Sequence, residues 1–178
     1  MFAMKKGIIL FKSKYGSTEK YADWLAEMTD YDCGKLSETS LQKAAQYEAI
    51  VVCGGIYASG IAGLPLLKKH IAGWKGKKTA VFCVGASPYD EKAFQELKRH
   101  NMKNELSDIP LFYGRGAWDE SVMTFKDRTL CKMLQKALSR KDPGSYEPWM
   151  EACMSAAGQV CDWTDPKYLA PVQKYLEE

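Results

Sequence analysis

Histidine is scarce in this chain, and several patterns that would announce a particular chemistry are missing. The two histidines, His70 and His100, stand at no ligand spacing from a cysteine or carboxylate. No metal site is therefore expected, and both read as surface residues near helix ends. The six cysteines form no C-x-x-C pair, which leaves zinc and thioredoxin-like chemistry without a signature. There is no G-x-x-x-x-G-K-[ST] loop, no G-x-G-x-x-G at the first strand-to-helix turn and no nucleophile-elbow serine or cysteine. A receiver domain needs an acidic pair after its first strand, and that place holds Lys12-Ser13-Lys14. Internal repeats and low-complexity tracts are absent as well.

Long hydrophobic runs are lacking too. Met1-Phe2-Ala3-Met4-Lys5-Lys6 leads into Gly7-Ile8-Ile9-Leu10-Phe11, which Lys12 cuts at once. That run is too short for a signal-peptide core, and a membrane span needs ~20 apolar residues. The expectation is a soluble, cytoplasmic protein with reduced thiols. Cys53 and Cys83, inside apolar runs, read as small core hydrophobes. A formal charge of +3 is too weak to argue for nucleic acid as a partner.

What is present is an alternation of two periodicities. Gly7–Phe11, Ala49–Cys53 and Thr79–Val84 are short, continuous apolar runs ending in small residues. Such runs suit strands covered on both faces, as in a parallel sheet. Ile109–Tyr113 is a weaker candidate, and 32–36 a poor one. Between them fall helical patterns: Tyr21, Ala22, Leu25, Ala26 and Met28; Leu64, Leu67, Ile71 and Trp74, with Pro65 in the first turn; Phe94, Leu97 and Met102. Leu130, Met133, Leu134, Ala137 and Leu138 mark a further helix, and Met150 to Val160 a last one. Ser139 to Ser145, with its Pro-Gly pair, reads as a loop. The class is α/β: a three-layer doubly wound parallel sheet with helices on both faces. The 178 residues match one domain, 1–178, with the apolar tail 162–178 docked on it.

The turn Ser13-Lys14-Tyr15-Gly16-Ser17-Thr18 directly precedes the first helix. Hydroxyls flank a glycine that can take left-handed angles, so N–H groups and hydroxyls converge above a helix N-terminus. That is an anion site, and a terminal monophosphate fits it better than a pyrophosphate. Two more strand ends, Gly54-Gly55-Ile56-Tyr57-Ala58-Ser59-Gly60 and Val84-Gly85-Ala86-Ser87-Pro88-Tyr89, are rich in small residues, each with one tyrosine. Ligands bind open α/β sheets at such strand ends, near the switch point. Small residues let backbone approach a flat ring, and a tyrosine can stack on it.

Together these features resemble the flavodoxin family, whose phosphate loop reads roughly [ST]-x-[TY]-G-x-[ST]. The resemblance implies five parallel strands in the order 2-1-3-4-5 and one non-covalent FMN. It implies that Ser13, Lys14, Tyr15, Gly16, Ser17 and Thr18 form the phosphate loop. It also implies that Gly55, Ile56 and Tyr57, with Gly85, Ala86, Ser87 and Tyr89, embrace the flavin ring. Within the family, Phe112-Tyr113-Gly114-Arg115-Gly116 and the basic segment Met123–Arg128 are similar to the menaquinone-dependent protoporphyrinogen oxidase-type flavodoxin domains. An FMN-dependent oxidoreductase acting on a quinone or a porphyrinogen-type molecule is one reading. A flavodoxin carrying electrons between proteins is the alternative, and a non-redox binding module on the same fold is the third. The partner is accordingly a redox protein or a small-molecule acceptor. No side chain is singled out as catalytic, because the cofactor supplies the chemistry.

One basic stretch stands apart. Arg128, Lys132, Lys136 and Arg140 recur every four residues, opposite Leu130, Met133, Leu134, Ala137 and Leu138. Such a helix can lie on an anionic membrane or receive an acidic partner. The expectation favoured here is plainer: a solvated outer face on a helix packed against the core.

Overall fold

The computed structural model describes residues 5–178; Met1–Met4, the first part of the N-terminal segment read above, lie outside the described residues. The three apolar runs become the central strands β1 (Lys5–Lys12), β3 (Tyr47–Tyr57) and β5 (Lys78–Gly85). Strands β2 (Asp32–Lys35) and β6 (Leu111–Arg115) flank them. All five pair in parallel in the order β2-β1-β3-β5-β6. This is the expected 2-1-3-4-5 arrangement once β4 (Gly60–Ile61), which pairs antiparallel with the end of β3, is set aside. The helices are α1 (Ser17–Thr29), α2 (Glu38–Ala44), α3 (Leu64–His70), α4 (Glu91–Asn101), α5 (Phe125–Leu138), α6 (Pro148–Ala156) and α7 (Ala170–Glu177). A two-stranded ribbon of β7 (Ala117–Asp119) and β8 (Val160–Asp162) completes the elements. No helix among the described residues is long and apolar enough to cross a membrane.

The strand period of two sends neighbouring residues to opposite faces. Leu10, Ile50, Val52 and Val81 join one core with Leu41 of α2, Leu67 of α3 and Trp74. Ile9, Phe11, Val51 and Phe82 join the other with Tyr21, Ala22 and Leu25 of α1 and with Leu169, Val172 and Leu176 near the end of the chain. A fully covered Leu, Ile or Phe contributes about 1.5–3 kcal/mol, so both layers are needed to hold the sheet. Cys53 and Cys83 are fully buried within these layers.

Five expectations differ from the structure. Strand β3 does not stop at Cys53 but runs through Gly54, Gly55 and Ile56 to Tyr57, because β4 turns back and pairs with its end. The turn between them uses Ala58 and Ser59 at φ 46° and 68°, a left-handed pair that these residue types do not signal. Ile109 and Pro110 precede β6 rather than belong to it. His70 is not a free surface residue, since its Nε2 lies 2.7 Å from Glu38 and its ring stacks on Trp74. The largest correction concerns α5. Leu130, Met133 and Leu134 are exposed, Ala137 with them, and only Leu138 of its supposed core face is buried. The helix packs on α6, outside the layers that cover the sheet. Met28 of α1 is likewise exposed.

Gly54 reveals how closely β3 and the β4 turn approach. A Cβ there would sit deep inside contact distance of the Ala62 carbonyl oxygen. Backbone cannot yield as a side chain does, so Gly54→Ala is expected to destabilise the fold by about 1–3 kcal/mol. Gly34 on β2 has nothing within 4 Å of such a Cβ, and Gly34→Ala is expected to be neutral. Thermal melts compare the two, at about 2–4 °C per kcal/mol for a chain this size.

Candidate functional site

In a parallel sheet every strand delivers its carboxyl end to the same edge. The chain leaves β1 for β2 on one side and returns to β3 on the other, so the switch point lies between the ends of β1 and β3. The β1–α1 loop sits there. Gly16 caps α1 at φ 102° and ψ −22°, with no side chain bonded to the helix end. The Gly16 N–H donates to Ser13 Oγ at 3.1 Å, which draws the loop into a ring. Among the described residues, no acceptor of the chain engages the N–H groups of Ser17, Thr18 and Glu19. The hydroxyls of Ser17 and Thr18 are also without a protein partner there, and Thr18 is 3 % exposed. A 13-residue helix with an unfilled amino end carries roughly half a positive charge at that point. Donors and dipole together suit an oxygen-rich anion.

Of the two tyrosines, Tyr57 stands beside this loop, whereas Tyr89 packs on α4 and β6. Tyr57, exposed at the end of β3, folds back over Gly55, and the Lys14 ammonium lies 5.8 Å from its ring centre. Tyr89, also exposed, packs on Phe94 at 5.5 Å and Tyr113 at 6.0 Å. The Glu91 carboxylate at its hydroxyl pushes the Tyr89 pKa up to about 12, and burial raises that of Tyr57. Both rings are therefore neutral at ordinary pH. Gly85, Ala86 and Ser87 are half-buried, with their carbonyls held from β6. Tyr113 Oη donates to Gly85 O at 3.2 Å and to Ser87 O, and Arg115 Nε donates to Ala86 O at 3.0 Å. The Arg115 guanidinium lies 3.9 Å from the centre of the Trp163 ring.

Three supports escaped the sequence reading. Asn101, the last residue of α4, accepts from the Ile61 N–H at 3.2 Å and donates to Ser59 O at 2.8 Å. It thus ties the β3–β4 turn to the helix that follows β5. Tyr21 donates to Arg115 O at 2.5 Å and accepts from the Asp165 N–H at 3.1 Å, joining α1, β6 and the chain after β8. Asp127 at the start of α5 binds both the Lys14 ammonium and the Tyr15 hydroxyl. That hydroxyl also accepts from the Thr124 N–H at 3.2 Å. Lys14 therefore turns towards α5, and its pKa rises on the Asp127 hydrogen bond while that of Asp127 falls on Lys14. None of these partners lies at a sequence spacing that periodicity can flag. A cavity of about 420 Å³ opens beside the β3–β4 turn, between Tyr57, Ile61, Pro65 and Leu66, with Lys12 and Lys69 at its lining.

Residues 8–144 match a family model described as the flavodoxin domain. The chain belongs to the flavodoxin domain family. Several solved flavodoxin-like structures are similar to it. One is a flavodoxin from the domain Archaea, 21% identical over 72% of this chain and 92% of that one, with a TM-score of 0.39. Another is a WrbA-like flavodoxin from Agrobacterium tumefaciens, at 18% over 70% and 88%, with a TM-score of 0.46. A third is a flavoprotein in complex with FMN from Lactobacillus acidophilus, at 17% over 63% and 93%, with a TM-score of 0.43. Among curated proteins no match was found. The family's parallel sheet accounts for the layered architecture described above.

Two outcomes test the site's supports. Asn101→Ala removes both bonds to the β3–β4 turn, so the Ile61 amide is expected to exchange about tenfold faster, with core amides of β1 unchanged. The Asp127 carboxyl has its pKa lowered in the folded chain. Its contribution is thus present above the ordinary carboxylate pKa, near ~3.9, and is lost as pH falls through the lower folded value. A carboxyl-carbon NMR titration is expected to place its midpoint below that ordinary value.

Proposed function

We propose that this flavodoxin-domain chain binds FMN non-covalently and works as an FMN-dependent oxidoreductase on a small molecule of the quinone or porphyrinogen class. The observation that carries the reading is the uncapped amino end of α1, where three N–H groups and the Ser17 and Thr18 hydroxyls have no protein acceptor or donor. In this reading Ser13, Tyr15, Gly16, Ser17 and Thr18 hold the phosphate. Lys14, tied to Asp127, braces the loop. Gly55, Ile56 and Tyr57 line one side of the flavin ring, and Gly85, Ala86, Ser87 and Tyr89 the other. FMN, when bound, supplies the electron-accepting ring, while the protein supplies position and surroundings. The neutral phenols of Tyr57 and Tyr89 offer stacking surfaces, and the carbonyl anchors from Tyr113 and Arg115 keep the Gly85–Ser87 segment in place.

Support for an enzyme rather than an electron carrier comes from the cavity beside Tyr57. Its walls of Ile61, Pro65 and Leu66 suit an apolar ring, and Lys12 suits an acidic substituent. A carrier docking on proteins has no need of such a space. The affinity with the menaquinone-dependent protoporphyrinogen oxidase-type domains belongs to this proposal too. It rests on Phe112–Gly116, which forms most of β6 and its end, and on Met123–Arg128, which leads into α5. The proposal treats 1–178 as one FMN-binding domain working in the cytoplasm. The packing of Leu169, Val172 and Leu176 against the α1 side of the sheet supports including the tail.

The visible spectrum of the purified chain tests the cofactor: flavin absorbance is expected, with FMN released on denaturation. Gly16→Val strains a left-handed position by about 1–2 kcal/mol, and Thr18→Ala removes a hydrogen bond to a charged group worth about 1.5–3 kcal/mol. Each is expected to weaken FMN binding roughly tenfold or more, with the circular dichroism spectrum unchanged. Unaltered affinity in both variants overturns this placement of the phosphate. Turnover of a quinone or porphyrinogen by the loaded protein then separates enzyme from carrier.

A further inference from the structure

The exposed apolar surface of the molecule is concentrated on one helix. Of ten large apolar side chains exposed among the described residues, five lie between Val122 and Leu134. Phe125 is 85 % exposed, Met133 63 % and Leu130 54 %. Leu130, Met133 and Leu134 share one stripe of α5 at helical spacing. The opposite side of the helix is occupied: Arg128 donates to the carbonyls of Glu120, Ser121 and Met123, and Gln135 to Glu120. The stripe is thus the side the fold leaves uncovered.

Charge says what covers it. Residues 126–141 carry six of the 25 basic side chains and one of the 22 acidic ones, so the rest of the chain, with 19 against 21, is net negative. Lys126, Lys132, Lys136, Arg140 and Lys141 are exposed; at helical spacing Lys136 flanks the stripe on one side, and Lys132 faces away from it. The one acid, Asp127, is spent on Lys14 and Tyr15. A second copy of this chain is a poor occupant, because pairing the same face would set these cations against one another. A single outstanding helix, apolar along one stripe and basic on one flank and past its carboxyl end, has the form that settles into the headgroup region of an anionic bilayer.

We propose that α5 is a membrane-surface helix, which docks the protein on anionic lipid with Leu130, Met133 and Leu134 entering the headgroup boundary and Lys136 and Arg140 meeting lipid phosphates. The Asp127 link to Lys14 and Tyr15 then brings the strand-end loops to the lipid surface. This inference stands independently of FMN binding.

Co-sedimentation of the full chain with phosphatidylcholine vesicles, with and without phosphatidylglycerol, tests it, each at low and high salt. Binding is expected on the anionic vesicles alone and is expected to fall with salt. Two variants, Leu130→Glu with Met133→Glu and Lys136→Glu with Arg140→Glu, are each expected to lose about tenfold or more in bound fraction. Their sites are exposed, so the fold is expected to survive, and should one pair unfold the chain the other pair decides. Failure to bind anionic vesicles overturns the proposal, as does equal binding to neutral ones or binding that neither variant weakens. So does a dimer that the Leu130/Met133 variant dissolves, which would make a second copy the occupant. Capture by polyglutamate with vesicles ignored would likewise point to an acidic protein instead.

Discussion

A helix that begins without a cap has three or four N–H groups to satisfy, and in this fold that cluster lies at the one place where the sheet turns inside out. The amino end of α1 follows β1, an inner strand paired on both sides, with β2 and with β3. Its position is therefore fixed by the most buried part of the molecule. Ile9 and Phe11 below it and Tyr21, Ala22 and Leu25 behind it leave the helix no freedom to shift and cover its own donors. The concentration of positive dipole at that point is a consequence of packing, and the rest of the site is arranged around it. The two tyrosine-bearing strand ends, of β3 and β5, follow it along the same edge because parallel strands bring their carboxyl ends together.

Hydrogen bonds from neighbouring elements hold these loose strand ends as a rigid rim. Asn101 fastens the turn after β3, Tyr113 and Arg115 fasten the segment after β5, and Asp127 fastens the loop after β1. The fastenings of the β3 and β5 ends act on backbone atoms, and that of the β1 loop acts through side chains. Rim geometry at the β3 and β5 ends is therefore tolerant of side-chain change in the loops and intolerant of change in the residues that anchor them.

Much of the architecture was legible because strands covered on both faces leave no room for polar residues. Gly7–Phe11, Ala49–Cys53 and Thr79–Val84 each read as strands on that ground alone, and Ser13–Thr18 read as an anion loop from hydroxyls placed around a glycine. The rest depended on tertiary pairing. The extension of β3 to Tyr57 needs β4, a two-residue strand with no periodicity to display. Asn101, Tyr21 and Asp127 act across separations of roughly 40 to more than 100 residues. The orientation of α5 was misjudged for a physical reason: an apolar stripe announces that it will be covered, without announcing by what.

The hydroxyl of Tyr21 has an implication for how the molecule comes into being. It is held on one side by the carbonyl of Arg115 and on the other by the amide of Asp165, while Leu169 and Val172 close over the same helix. Synthesis proceeds from the amino terminus, so the β1–α1 loop leaves the ribosome well before the segment that backs it. Until residue 172 or so has emerged, α1 lacks its outer wall. The loop thus precedes its own support in synthesis, and a nascent chain captured between the two would carry the motif without its rigidity.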